Sequence, residues 1–185
     1  GSLSHYPDGS LVCVENTSQG GGGTAYPLER LDAICKVASE KNCKLHMDGA
    51  RLFNAAVASN ASPARIVRDF DTVSICLSKG LGAPVGSVLV GSKETLAEAH
   101  RWRKMFGGGM RQSGVIAAAG LYALENNVDR LHDDHKRARR LAEAVNEIDG
   151  LSVNLDAVQS NIVFIGVEKG KTQEVIGALS ERGVE

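Results

Sequence analysis

Two apolar runs in this sequence each end on a charged residue followed by glycine: Leu45-His46-Met47-Asp48-Gly49 and Ile75-Cys76-Leu77-Ser78-Lys79-Gly80. Short apolar runs closed by glycine read as buried strands. Further runs alternate with helical patterns in the same manner. Leu11 to Glu15 reads as a strand, and Asn16-Thr17-Ser18-Gln19 with Gly20 to Gly23 reads as a loop. Pro27 opens a helix through about Lys41, with Leu28, Leu31, Ile34, Cys35 and Ala38 on one face. Cys43 to Met47, ending at Asp48, Thr72 to Leu77 and Val85 to Val90 follow as strands. Strands that alternate with helices predict an α/β fold.

From Ser92 the pattern turns mostly helical, over Lys93 to about Lys104, Gln112 to Asn126 and Val128 to Glu147. The last of these is highly charged outside its apolar stripe, which predicts a surface helix. Leu151 to Leu155 and Asn161 to Val167 read as strands, and Thr172 to Arg182 as a helix. A boundary near Asn126-Asn127 divides the chain into residues 1–127, an α/β part, and residues 128–185, a smaller α+β part. Both ends break off where further elements would be needed, so the sequence reads as a segment of a longer protein. Gly1-Ser2 reads as a cloning remnant and is left out of the fold argument.

Composition narrows the function. Of 185 residues, 21 are Lys or Arg and 22 are Asp or Glu, so there is no basic excess to bind nucleic acid. Apolar stretches such as Val115 to Ala119 fall far short of the roughly 20 residues of a membrane span. The four cysteines, Cys13, Cys35, Cys43 and Cys76, form no Cys-x-x-Cys pair, which argues against a disulfide framework or zinc site. Cys13 and Cys76 sit in strand-like runs as small hydrophobes. This cysteine usage points to a reducing compartment and a cytoplasmic protein.

Asp48 and Lys79 carry the chemistry. In open α/β sheets ligands bind beyond the carboxyl ends of strands, so an acid and a lysine at two such ends can share one site. A lysine beside a glycine-rich turn leaves room for a planar group, and partial burial would favour the neutral, nucleophilic amine. Taken singly, Asp48 could be a turn former or helix cap and Lys79 a solvated strand end. In the strings His46 to Arg51 and Leu77 to Pro84 they fit a pyridoxal phosphate site together: the lysine binds the aldehyde and the carboxylate keeps the pyridine nitrogen protonated.

The sequence resembles the low-specificity threonine aldolases, members of the aspartate-aminotransferase fold class of pyridoxal phosphate enzymes. The matching strings are Val14-Glu15-Asn16-Thr17, His46 to Asn54, Cys76 to Val90, Trp102 to Met105, Gly107 to Gly114 and Gln159-Ser160-Asn161. The resemblance implies a mostly parallel sheet with flanking helices, a large cofactor-binding domain followed by part of a smaller one. It implies Lys79 as the cofactor lysine and Asp48 as the partner of the pyridinium nitrogen. It places Arg51 near the phenolic oxygen or substrate, Ser78 near the phosphate, and Arg111 at phosphate or substrate carboxylate. His5 matches a family histidine near the substrate hydroxyl.

The activity so implied is cleavage of L-threonine and L-allo-threonine to glycine and acetaldehyde, with pyridoxal 5'-phosphate as cofactor, by a homo-oligomer such as a dimer or tetramer. The partner is a small amino-acid substrate, with no nucleic acid and no membrane. Two other readings compete: β-elimination on the same cofactor, and a truncated, inactive relative. The sequence departs from the family at Ser18, where a histidine is common, and in the glycine run from Gly20. The family's N-terminal phosphate-binding loop and stacking aromatic residue, and its C-terminal carboxylate-binding arginine, are not found in the sequence. His132 and His135, three apart on a helix, have no third ligand in view and read as a solvated face; no metal is expected. His46 reads as a packing residue beside the cofactor strand.

Overall fold

The computed structural model describes residues 9–184; His5 lies outside them. A four-stranded sheet has the order β1-β2-β3-β4, formed by Leu11–Glu15, Lys44–Asp48, Thr72–Cys76 and Ser87–Gly91. The first three strands are parallel, and β4 returns antiparallel to β3. The α1 helix, Leu28–Glu40, connects β1 to β2, and α2, Leu52–Ser59, with α3, Pro63–Ile66, connects β2 to β3. Parallel neighbours require such crossovers. Helices α4, Lys93–Met105, α5, Gly114–Asn126, and α6, Leu131–Val145, follow, then a two-stranded antiparallel sheet of β5, Leu151–Ser152, and β6, Gly166–Val167, and finally α7, Thr172–Ser180.

The core explains this order. Leu45 and Met47, two apart on β2, both face inward; Met47 is fully buried among Val14, Leu31, Leu52, Ala55, Ile66 and Val73. Leu45 packs with Cys35 and Ala38 of α1. The α1 face foreseen from its spacing is thus the buried one. A second cluster joins Leu81 and Ala83, beyond β3, to Ala123 of α5 and Leu131 of α6. Cys35 is the buried thiol, whereas Cys13 faces outward from edge strand β1, contrary to its reading as a small packing hydrophobe.

Four elements differ from the sequence reading, one of them α3, a single turn over Pro63–Ile66 that the sequence reading left unassigned. The α2 helix was not foreseen: Leu52 to Ala58 is apolar apart from Asn54, so no helical period stands out. The strand expected over Leu151 to Leu155 stops at Ser152, because Asn146 clasps the Val153 backbone at both its N–H and its carbonyl. Asn154 then caps a 3-10 turn over Leu155–Ala157. With its partner so short, the strand expected over Asn161 to Val167 is reduced to Gly166–Val167. No described helix is long and apolar enough to cross a membrane.

Charged clasps hold the helices and strand starts. Arg65 of α3 forks onto Asp32 of α1 at 3.0 and 2.6 Å, holding that carboxyl below its usual range. Asp71 accepts from Lys44 Nζ at 2.9 Å and from the Leu45 N–H at 2.8 Å, tying the approach to β3 to the start of β2. The lysine bond, then the backbone bond, lowers the Asp71 pKa from 3.8. A depressed folded value means that its stabilisation is complete above the unfolded carboxylate range and is lost as pH falls through the folded value. Thermal melting from about pH 5 to pH 3 should show a falling Tm, and Asp71→Asn should flatten part of that fall. An unchanged slope in the variant would leave Asp71 without a role in acid sensitivity.

Candidate functional site

The rim of the sheet at the carboxyl ends of β1, β2 and β3 is built largely from backbone bonds. Asp48, the last residue of β2, lies between Glu15 of β1 and Ser74 of β3 in register. Asn16 N–H donates to the Asp48 carbonyl at 3.0 Å, and Gly49 N–H to the Ser74 carbonyl at 2.8 Å, so the end of β2 is stitched to both neighbours. A Cβ at Gly49 would lie 3.0 Å from the Ser74 carbonyl oxygen and 3.1 Å from Val73 Cγ1. Glycine is therefore required by close approach of the strands. Asp48 Oδ1 accepts the Ala50 N–H at 3.0 Å, which fixes the carboxylate while the residue stays exposed. Arg51, the residue before α2, is half-buried.

Lys79 stands three residues beyond β3. Its carbonyl accepts the Gly82 N–H at 2.8 Å, and Gly82, at φ +75°, supplies the left-handed conformation of the turn. Leu77 N–H donates to the Gly86 carbonyl at 3.0 Å and Ala83 N–H to the Leu77 carbonyl at 3.0 Å. Asn127 Nδ2 donates to the Leu81 carbonyl at 2.7 Å, so the turn is also fastened to the end of α5. The turn is thus held by its backbone, while Ser78 and Lys79 are exposed. This differs from the expectation of a partly buried lysine.

The parallel pairing brings Asp48, Arg51, Ser78 and Lys79 to one end of the sheet. Arg111 lies on a separate exposed bend between α4 and α5, beside Gln112 at φ +48°. His46 bonds through Nδ1 to Thr72 Oγ1 at 2.8 Å, tying β2 to β3 as a packing residue does. At the sheet end, two cationic side chains, Arg51 and Lys79, and one carboxylate, with the Ser78 hydroxyl among them, suit a planar ligand that carries an electrophilic carbon, a basic ring nitrogen and an anionic group. Thr17, beside this rim, has a buried hydroxyl without a hydrogen-bond partner among the described residues.

Sequence reasoning missed the support behind the rim. Asn54 is 3% exposed, and its Nδ2 reaches His135 Nε2 at 3.1 Å and Asn161 Oδ1 at 3.2 Å. His135 is half-buried, so the solvated face expected for His132 and His135 holds for His132 alone. Burial first, then the neighbouring His132, lowers the His135 pKa from 6.5, against an opposing pull from Asp134. The glycine loop has a similar role: a Cβ on Gly23 would collide with Ser160 Oγ and Ile162 Cβ, and Ser160 Oγ donates to the Gly23 carbonyl at 2.7 Å. A polar residue in the apolar string Leu52 to Ala58 was the available signal for Asn54.

The family described as beta-eliminating lyase matches residues 1–168. A relative from Arabidopsis thaliana named "Probable low-specificity L-threonine aldolase 2" is 49% identical over 97% of this chain and 52% of its own length. The low specificity L-threonine aldolase of Escherichia coli K12 is 46% identical over 88% of this chain and 47% of its own. A solved structure of a candidate L-allo-threonine aldolase from Listeria monocytogenes EGD-E superposes with a TM-score of 0.84 at 27% identity, covering 99% of this chain and 51% of that one. The chain spans about half the length of the curated relatives it matches.

Gly80, directly after Lys79, is pinched between α6 and α2. An added Cβ would lie 2.9 Å from Leu131 Cδ2, and Leu131 is fully buried. Gly80→Ala should therefore destabilise the protein by about 1–3 kcal/mol through overpacking. Urea denaturation tests this; a midpoint equal to that of the unsubstituted protein would mean that α6 yields freely.

Proposed function

The chain belongs to the beta-eliminating lyase family, and from that premise we propose that the protein cleaves L-threonine and L-allo-threonine to glycine and acetaldehyde with pyridoxal 5'-phosphate. The observation that carries this reading is the emergence of Asp48 and Lys79 beyond neighbouring parallel strands, β2 and β3. The names of the relatives supply the reaction; the donor set at the rim supplies a place for the cofactor.

Bound there, pyridoxal phosphate would supply a sink for the electron pair left on Cα as the Cα–Cβ bond breaks. Lys79 would hold the cofactor through its aldehyde carbon. The Asp48 carboxylate, oriented by the Ala50 N–H, would keep a proton on the ring nitrogen and so keep the ring electron-poor. Arg51 would meet the phenolic oxygen or the substrate, Ser78 the phosphate, and Arg111 either phosphate or substrate carboxylate through its paired N–H groups. His5 would take the proton from the substrate hydroxyl. Residues 1–127 would carry the cofactor and residues 128–185 form part of the smaller domain. The protein would act in the cytoplasm as a homo-oligomer of two or four copies, with amino acids as its substrates.

The test uses the full-length protein that contains this chain. Incubation with pyridoxal phosphate and borohydride should leave the reduced label on Lys79, located by peptide mass spectrometry. Threonine should yield glycine and acetaldehyde. Asp48→Ala should retain the Lys79 label yet lose about a hundredfold or more of the turnover, since the ring nitrogen would lose its charge partner. Label on another lysine, or full turnover without Asp48, would refute the assignment.

A further inference from the structure

We propose that Asn54 and His135 are positioning residues for Lys79: a buried amide held by a neutral histidine fixes the peptide that follows the lysine. The inference rests on the reading of Lys79 as the cofactor lysine and goes beyond it, to residues that touch neither cofactor nor substrate.

Gly80 occupies a slot with two walls. One is Leu131 of α6; the other is the Asn54 amide of α2, whose Oδ1 and Nδ2 lie 3.7 and 3.9 Å from the position of a Cβ on Gly80. Asn54 thus stands beside the Lys79–Gly80 turn, at van der Waals distance from the space a side chain at position 80 would fill. Asn54 has few alternatives to its present place. It is almost wholly buried in a helix whose other inward residues, Leu52, Ala55 and Ala56, are apolar. A buried amide that loses its partners pays the cost of desolvation without return.

The orientation of the Asn54 amide pairs with one state of the histidine. Nδ2 of Asn54 has two hydrogens; one serves Asn161 Oδ1 and the other His135 Nε2. With the amide in this orientation Nε2 accepts, and we assign His135 as neutral with its proton on Nδ1. A second proton would turn Nε2 into a donor facing a donor, and the bond would become a repulsion. Burial opposes that proton too. The charged groups around the ring are His132 and Asp134 of α6 itself, with Lys136 and Arg137 next along the chain. The 3-10 turn that packs against α6 brings Asp156 and is tied to α6 by Arg139 through the Leu155 carbonyl at 2.7 Å. The α2 helix presents no charge, only Asn54.

The contact also spans the molecule. Asn54 is 81 residues from His135 and 107 from Asn161 in sequence. One amide, beside the glycine that follows Lys79, thus ties the helix that follows Asp48 to α6 and to the segment that leads into β6. As pH falls below the ordinary histidine value of 6.5, His135 takes up its proton and the latch opens.

The full-length protein tests this with two independent readouts. Nitrogen chemical shifts of labelled histidine should report His135 as the Nδ1–H tautomer titrating below 6.5, and Asn54→Asp should move that midpoint above 6.5. Borohydride trapping of pyridoxal phosphate on Lys79 should weaken about tenfold or more in His135→Leu and Asn54→Ala, as misplacement of a reactive group costs. His135→Gln, which keeps a neutral acceptor, should restore trapping and remove its loss below pH 6.5. Should Asn54→Ala fail to fold, the two His135 variants decide alone. Normal trapping on Lys79 in His135→Leu, or a native His135 midpoint at or above 6.5, overturns the proposal. Absence of trapping on Lys79 in the unsubstituted protein overturns the cofactor assignment, and the proposal with it, whatever His135 does.

Discussion

The site depends on parallel pairing of β2 with β3. Parallel strands point their carboxyl ends the same way, so residues that follow them gather at one rim whatever their distance in sequence. Asp48 and Lys79 are brought there by this pairing, with Ser74 opposite Asp48 to set the level. The register is enforced from below. Leu45 and Met47 must face the helices, and a slip by one residue would turn both toward the opposite face. Burial of one methionine and one leucine thereby decides which way the neighbouring carboxylate points.

Much of this was legible in the sequence, because it arises from short-range pattern. The four strands of the main sheet, the buried face of α1 and the two strand-end charges all follow from apolar runs and glycine punctuation. The aldolase resemblance and the relatives' names agree, and the family match covers most of the chain. What could not be read has long-range causes. The direction of β4 is settled by its pairing with β3 and not by its own apolar run, and Asn54 gains its partners from residues more than eighty positions away. The α2 helix escaped because burial on nearly every side erases the period that identifies a helix.

The glycine run shows how a departure from a family pattern can acquire a physical meaning. Gly20 to Gly23 presents bare backbone, and at its last residue, Gly23, the structure lays that backbone against Ser160 and Ile162. Ala25 N–H also donates to Gln159 Oε1 at 3.0 Å, and Tyr26 N–H to Asn16 Oδ1 at 3.2 Å. These bonds join the loop after β1 to the Gln159-Ser160-Asn161 string. Polar contacts of this kind add little net stability compared with apolar burial, but each has a single satisfactory geometry. They therefore determine how the later part of the chain is set against the main sheet.

The same division of labour governs the rim. Side chains that are to bind a ligand must be placed closely yet left free, and these demands conflict if one side chain meets both. Here the backbone takes the first: Lys79 and Asp48 each sit in a segment closed by main-chain bonds, at Gly82, Ser74 and Asn16. The side chains keep the second, since both stay exposed. Behind the segment lie buried residues, Leu131 filling the space next to Gly80 and Asn54 bonded to His135 and Asn161. An apolar residue in place of Asn54 could fill the volume but could not hold His135 and Asn161 at once. This is the physical reason for an amide in the midst of the apolar string Leu52 to Ala58.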